Sequence, residues 1–98
     1  MNNKQQQQTT RGDKLERITI KDLEAQIGSI NYWANSNAYF LSGAYGGYRL
    51  EKYGDHGGVI DILKIGFVPK RKLHEHLMTF KKGLITSDAI IQLITREV

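Results

Sequence analysis

Ninety-eight residues with no cysteine and a formal net charge of +4 leave room for one domain without disulfide staples or thiolate metal sites. No stretch approaches the ~20 apolar residues that span a bilayer, and the N-terminus lacks the apolar run of a signal peptide. The expectation is a cytoplasmic protein with no membrane partner, whose folded part of about eighty residues is marginal alone and therefore favours a homo-oligomer.

Residues 1–17 contain the Gln5–Gln8 run and Thr9-Thr10-Arg11-Gly12-Asp13. They lack a periodic apolar pattern to offset the entropy of ordering, and read as a disordered tail. The Arg11-Gly12-Asp13 tripeptide reads as a chance match in a chain without a leader. Residues 18–98 read as a single α+β domain. Thr19 opens a helix, with Asp22 three positions on as a variant of the capping box. Ile20, Leu23, Ile27, Ile30 and Ala34 then recur as one apolar stripe, and Asn35-Ser36-Asn37 ends it.

Ser42-Gly43-Ala44-Tyr45-Gly46-Gly47-Tyr48 is a bend between two strands, led into by Tyr39-Phe40-Leu41 and out of by Arg49 to Tyr53. Glycine permits positive φ and close approach, and tyrosine adds a flat face with a polar tip. The stretch suits a tight hairpin, and equally a pocket for a flat, hydrogen-bonding ligand. Gly54-Asp55-His56-Gly57-Gly58 reads as a second turn; it lacks the Lys-Ser/Thr ending of a phosphate-binding loop and precedes a strand rather than a helix. Val59–Val68 is rich in β-branched residues and predicts a third strand, with Gly66 as a bulge or end point and Asp61 at the solvent face or an edge. Pro69 announces a long helix with Leu73, Leu77, Phe80 and Leu84 buried and Gly83 as its stop. Thr86 or Ser87 then caps a short last helix carrying Ile90, Ile91, Leu93 and Ile94, which either covers the core or docks on a second subunit. The order predicts an N-terminal helix, a three-stranded antiparallel meander, then one long and one short C-terminal helix.

Charge is more informative by place than by sum. Lys70, Arg71, Lys72, Lys81 and Lys82 face Glu75 alone between Pro69 and Lys82, and the other nine basic and nine acidic residues cancel. Three cations in a first turn oppose the helix dipole, so local helix stability does not explain them, whereas a helix N-terminus with added cations suits a phosphate. The plain alternative is a solvated basic turn. His74 can donate to the same phosphate. His74 and His76, two apart on a helix, point away from each other, and no metal or other cofactor is expected. Serine, histidine and aspartate occur without a nucleophile motif, and the reading is not an enzyme, with no catalytic residues. Tyr39, Tyr45, Tyr48, Tyr53, Trp33 and Phe40 are too many for one small core, so some lie at the surface for stacking on bases or for subunit contact.

The series Gly43-Ala44-Tyr45-Gly46-Gly47-Tyr48-Arg49-Leu50, Gly57-Gly58-Val59-Ile60-Asp61, Gly66-Phe67-Val68-Pro69-Lys70-Arg71-Lys72-Leu73 and Phe80-Lys81-Lys82-Gly83-Leu84 resembles a family of small bacteriophage proteins with a GAYGG hairpin and a following PKREL-type helix. The resemblance covers roughly Ile20 to Leu84; Lys72 stands where the pattern is acidic, and the glutamine tail and terminal helix fall outside it. It implies a phage origin, hence the cytoplasm of an infected bacterial host, and by analogy with other small phage accessory proteins a counter-defence role. The resulting expectation is a non-enzymatic protein that sequesters a phosphorylated nucleotide signal. Its ligand-binding residues are Tyr45, Gly46, Gly47, Tyr48, Arg49, Lys70, Arg71, Lys72 and His74. The alternatives are a nucleic-acid-binding module of the double-stranded RNA-binding kind and a protein–protein inhibitor of a host defence enzyme.

Overall fold

The computed structural model describes residues 17–97. The expected tail lies outside the described residues but for Arg17, and with it the Arg11-Gly12-Asp13 tripeptide. The elements run α1 (Ile20–Ala34), β1 (Tyr39–Ala44), β2 (Gly47–Tyr53), β3 (Val59–Asp61) and α2 (Lys70–Glu97). The fold is α+β: a helix, a three-stranded antiparallel sheet in the order β1-β2-β3, and a long C-terminal helix. Among the described residues no helix is long and apolar enough to cross a membrane.

Thr19 and Asp22 form a complete capping box, each side chain accepting from the other's backbone N–H, and Asn35 closes α1 in the left-handed conformation at φ 53°. The α1 stripe buries Leu23, Ile27 and Ile30, which meet Leu50 from β2 and Leu73 and Leu77 from α2 in one core. Tyr39, Leu41, Tyr48, Val68, Phe80 and Leu84 pack around it. Both helices therefore lie against one face of the sheet, the face that Tyr48, Leu50 and Lys52 share by strand alternation. Asn31 links α1 to β1 by donating to the Tyr39 carbonyl and accepting from the Tyr39 N–H, each at 3.1 Å.

Two sequence expectations need correction. The third strand does not run from Val59 to Val68; it ends at Asp61. Asp61 accepts from the Lys64 N–H at 3.1 Å, and Lys64 and Gly66 take positive φ of 57° and 77°, so the chain leaves the sheet as an irregular segment. Among the described residues the short last helix is not a separate element. Gly83 does not adopt the left-handed conformation that a glycine stop requires, and α2 continues through it for 28 residues. At 1.5 Å per residue α2 is about 42 Å long, against about 22 Å for α1. Its last turns outrun the sheet and α1, leaving Ile90, Ile91, Leu93 and Ile94 exposed.

Candidate anion-binding surface

The bend resolves into strands joined by a two-residue loop. Ala44 pairs with Gly47, and Tyr45 and Gly46 between them have φ of 53° and 75°. Positive φ at both positions is the signature of a type I′ hairpin, a turn that ordinarily selects Asn-Gly. A tyrosine in the left-handed region is uncommon. Tyr45 is also 95% exposed, so burial does not account for it. Backbone strain on an exposed aromatic is an observation that points towards a surface role.

The hairpin is fastened to the segment that leads into α2. Tyr48 N–H donates to the Val68 carbonyl at 2.8 Å, and Val68 N–H donates back at 2.9 Å. Gly47 makes this possible: a Cβ there would stand 2.9 Å from the Phe67 carbonyl carbon and the Val68 nitrogen, both backbone atoms. The bridge brings together two features more than twenty positions apart in the chain. Lys70 Nζ sits over the Tyr48 ring at 6.0 Å from its centroid, at the outer limit of a cation–π contact. Leu73 N–H donates to the Pro69 carbonyl at 3.0 Å, so the amides of Lys70, Arg71 and Lys72 are first-turn groups without an intrahelical acceptor. No acidic residue lies in that turn. Arg71 and Lys72 are exposed and Lys70 is half-buried. Free amides, the positive end of a 28-residue helix and the Lys70 ammonium thus meet beside Tyr48, with Arg71 and Lys72 exposed on other sides of the same turn.

The nine expected residues do not all meet. Arg49, next to Tyr48 in β2, points to the opposite face of the sheet. Its Nε donates to Glu51 at 2.6 Å, its other arm lies 3.6 Å from Asp61, and its guanidinium stacks at 4.3 Å over Phe67. Two carboxylates already hold that charge, and Glu51 is only 5% exposed. Tyr45 meets the same Phe67 edge-on at 5.5 Å. His74 stands near the start of α1, where its charge acts on Asp22. The Asp22 carboxyl is held below its ordinary value chiefly by the hydrogen bond from the Thr19 backbone, then by the Thr19 side chain, with His74 adding a Coulombic contribution. Gly46 serves as the turn residue, and Gly47 as the contact point just described. Tyr48 and Lys70 are brought together, Arg71 and Lys72 share the same helical turn, and Tyr45 and Phe67 lie together on the other side of the hairpin.

Phe67 is not among the nine expected residues; the sequence offers Gly66 as a bulge or an end point of the third strand, and only the second option frees Phe67 and Val68 to meet the hairpin. Lys81 and Lys82 also lie apart from the cluster, about 16 Å along α2. Among the described residues no group of three or more histidines, aspartates and glutamates gathers as a metal site. None of the nine expected residues lines the clefts of about 550 and 420 Å³, which lie along the middle of α2 and at the end of α1.

No family model, curated protein or solved structure matches the chain.

Proposed function

We propose that this is a non-enzymatic binding protein that captures a phosphorylated nucleotide at the start of α2, and that it acts as a bacteriophage counter-defence factor by sequestering such a signal. The observation that carries this reading is the Tyr48–Val68 bridge, which sets an aromatic hairpin against the most basic turn of the chain. In this reading the first-turn amides, Lys70, Arg71 and Lys72 hold phosphate oxygens, and Tyr48 or Tyr45 stacks on a base. The phage setting rests on the resemblance of the motif series, and the sequestration on analogy. Calorimetry with a panel of cyclic di- and trinucleotides and NAD-derived signals tests it. Micromolar or tighter binding by one member is expected, and no binding at ~100 μM across the panel overturns it, because a sponge must bind far more tightly.

One observation favours a second reading, a nucleic-acid-binding module. The order α1-β1-β2-β3-α2, with both helices on one sheet face and lysines opening the second helix, has the layout of double-stranded RNA-binding domains, and the exposed Arg71 and Lys72 suit an extended polyanion. Affinity for RNA duplexes would then fall steeply and linearly in log salt, whereas a compact nucleotide loses much less. A flat salt response removes this second reading.

A further inference from the structure

We infer that the second half of α2 is a dimer interface, covered by the same segment of a second copy running antiparallel. Ile90, Ile91, Leu93 and Ile94 are 52%, 58%, 54% and 59% exposed on consecutive turns. Between Gly83 and Thr95 the only charged residue is Asp88, and its carboxylate accepts from Gln92 of the same helix at 3.3 Å. Lys82 borders the cleft at the near end of this face, and beyond it the exposed surface is apolar.

Its shape points to a second copy. Thr79, Gly83, Thr86 and Ile90 recur at four, three and four residues, which places them on one stripe, and Ile94 continues it. The stripe lies roughly a third of a turn around the helix from Leu77 and Leu84, so the domain itself leaves it open. Its first half is small and borders the cleft of about 550 Å³ over Gly83; its second half is large and branched. A two-fold axis between Thr86 and Ser87 sets Ile90 of each copy over Gly83 of the other, and Ile94 over Thr79. Such a contact is isologous, so every gain in fit counts twice. The exposed apolar surface of the stripe is small, which suits a weak, reversible contact rather than a permanent one.

Sedimentation equilibrium of the full chain across ~1–100 μM is expected to show a reversible dimer, and Ile90→Glu with Ile94→Glu to yield a monomer with an unchanged circular dichroism spectrum. The pairing itself is tested by Gly83→Cys with Ile90→Cys in a chain that has no other cysteine. Mild oxidation should link this variant as a dimer, and Gln92→Cys, on a different face of the helix, should not link. A wild-type monomer at every concentration overturns the proposal, as does a dimer that survives the double glutamate change. Equal cross-linking of Gln92→Cys overturns the register. A monomer that instead co-sediments with phosphatidylglycerol vesicles would reassign the face to a lipid surface.

Discussion

At the residue scale, the hairpin carries its own tension between stability and use. Tyr45 occupies a left-handed position that asparagine fills with less strain, and its ring meets that of Phe67. Tyr45→Asn should raise stability by about 0.5–1 kcal/mol, seen as a higher melting temperature, while weakening any ligand that stacks there. Gly47→Ala should do the reverse: its Cβ meets backbone atoms, which cannot rotate away, so the Tyr48–Val68 bridge must open at about 1–3 kcal/mol. Loss of the hydrogen-exchange protection of the Tyr48 and Val68 amides would report it. On the other sheet face, Arg49→Ala leaves the buried Glu51 carboxylate without its partner and should cost about 2–3 kcal/mol, while replacing Arg49 and Glu51 together by leucine should recover much of that in urea melts. Asp22 follows the depressed-carboxylate sign. Its folded pKa lies below the ordinary value of 3.8, so its support for α1 is complete above that value and disappears as pH falls through the folded pKa.

At the scale of elements, legibility followed how many signals agreed. α1 has a capping box, a periodic stripe and an asparagine stop, and the structure has it where the sequence placed it. The β1–β2 hairpin was legible as a hairpin but not at its tip, because Gly43, Gly46 and Gly47 all qualify as turn residues and a tyrosine at positive φ runs against preference. The β-branched run predicts too long a third strand, because the Asp61 side chain competes for the backbone and turns the chain out. Gly83 suggests a stop because glycine commonly takes the left-handed conformation that closes a helix, but here it keeps a negative φ and α2 runs through it. Of the site, the residue types were legible and the grouping only in part. The pairing of Tyr48 with Val68 is a long-range contact that no local pattern encodes, and Arg49 looked free because the carboxylates that hold it stand on neighbouring sheet positions.

At the scale of the molecule, the charge that composition concentrates in α2 is divided by the fold between Lys70–Lys72 beside the hairpin and Lys81–Lys82 farther along. The same residues can be decoration or function, and stability separates the two. Three cations at the positive end of a helix cost a few tenths of a kcal/mol each. Lys70 returns part of that through its contact with Tyr48, which at 6.0 Å is worth about 0.5 kcal/mol. Changing Lys70, Arg71 and Lys72 together to glutamine should therefore leave the melting temperature equal or slightly higher. Ligand binding in the same variant should fall at least a hundredfold, since it loses every cation of the first turn and keeps only the helix amides. Changing Lys81 and Lys82 instead should leave a compact nucleotide unaffected, about 16 Å away, yet reduce the salt slope for an extended nucleic acid, which can reach both groups. Calorimetry and thermal melts on the two variants read all of these together. A triple variant that keeps full binding would make the basic turn a tolerated surface and move the search for a ligand elsewhere on the fold.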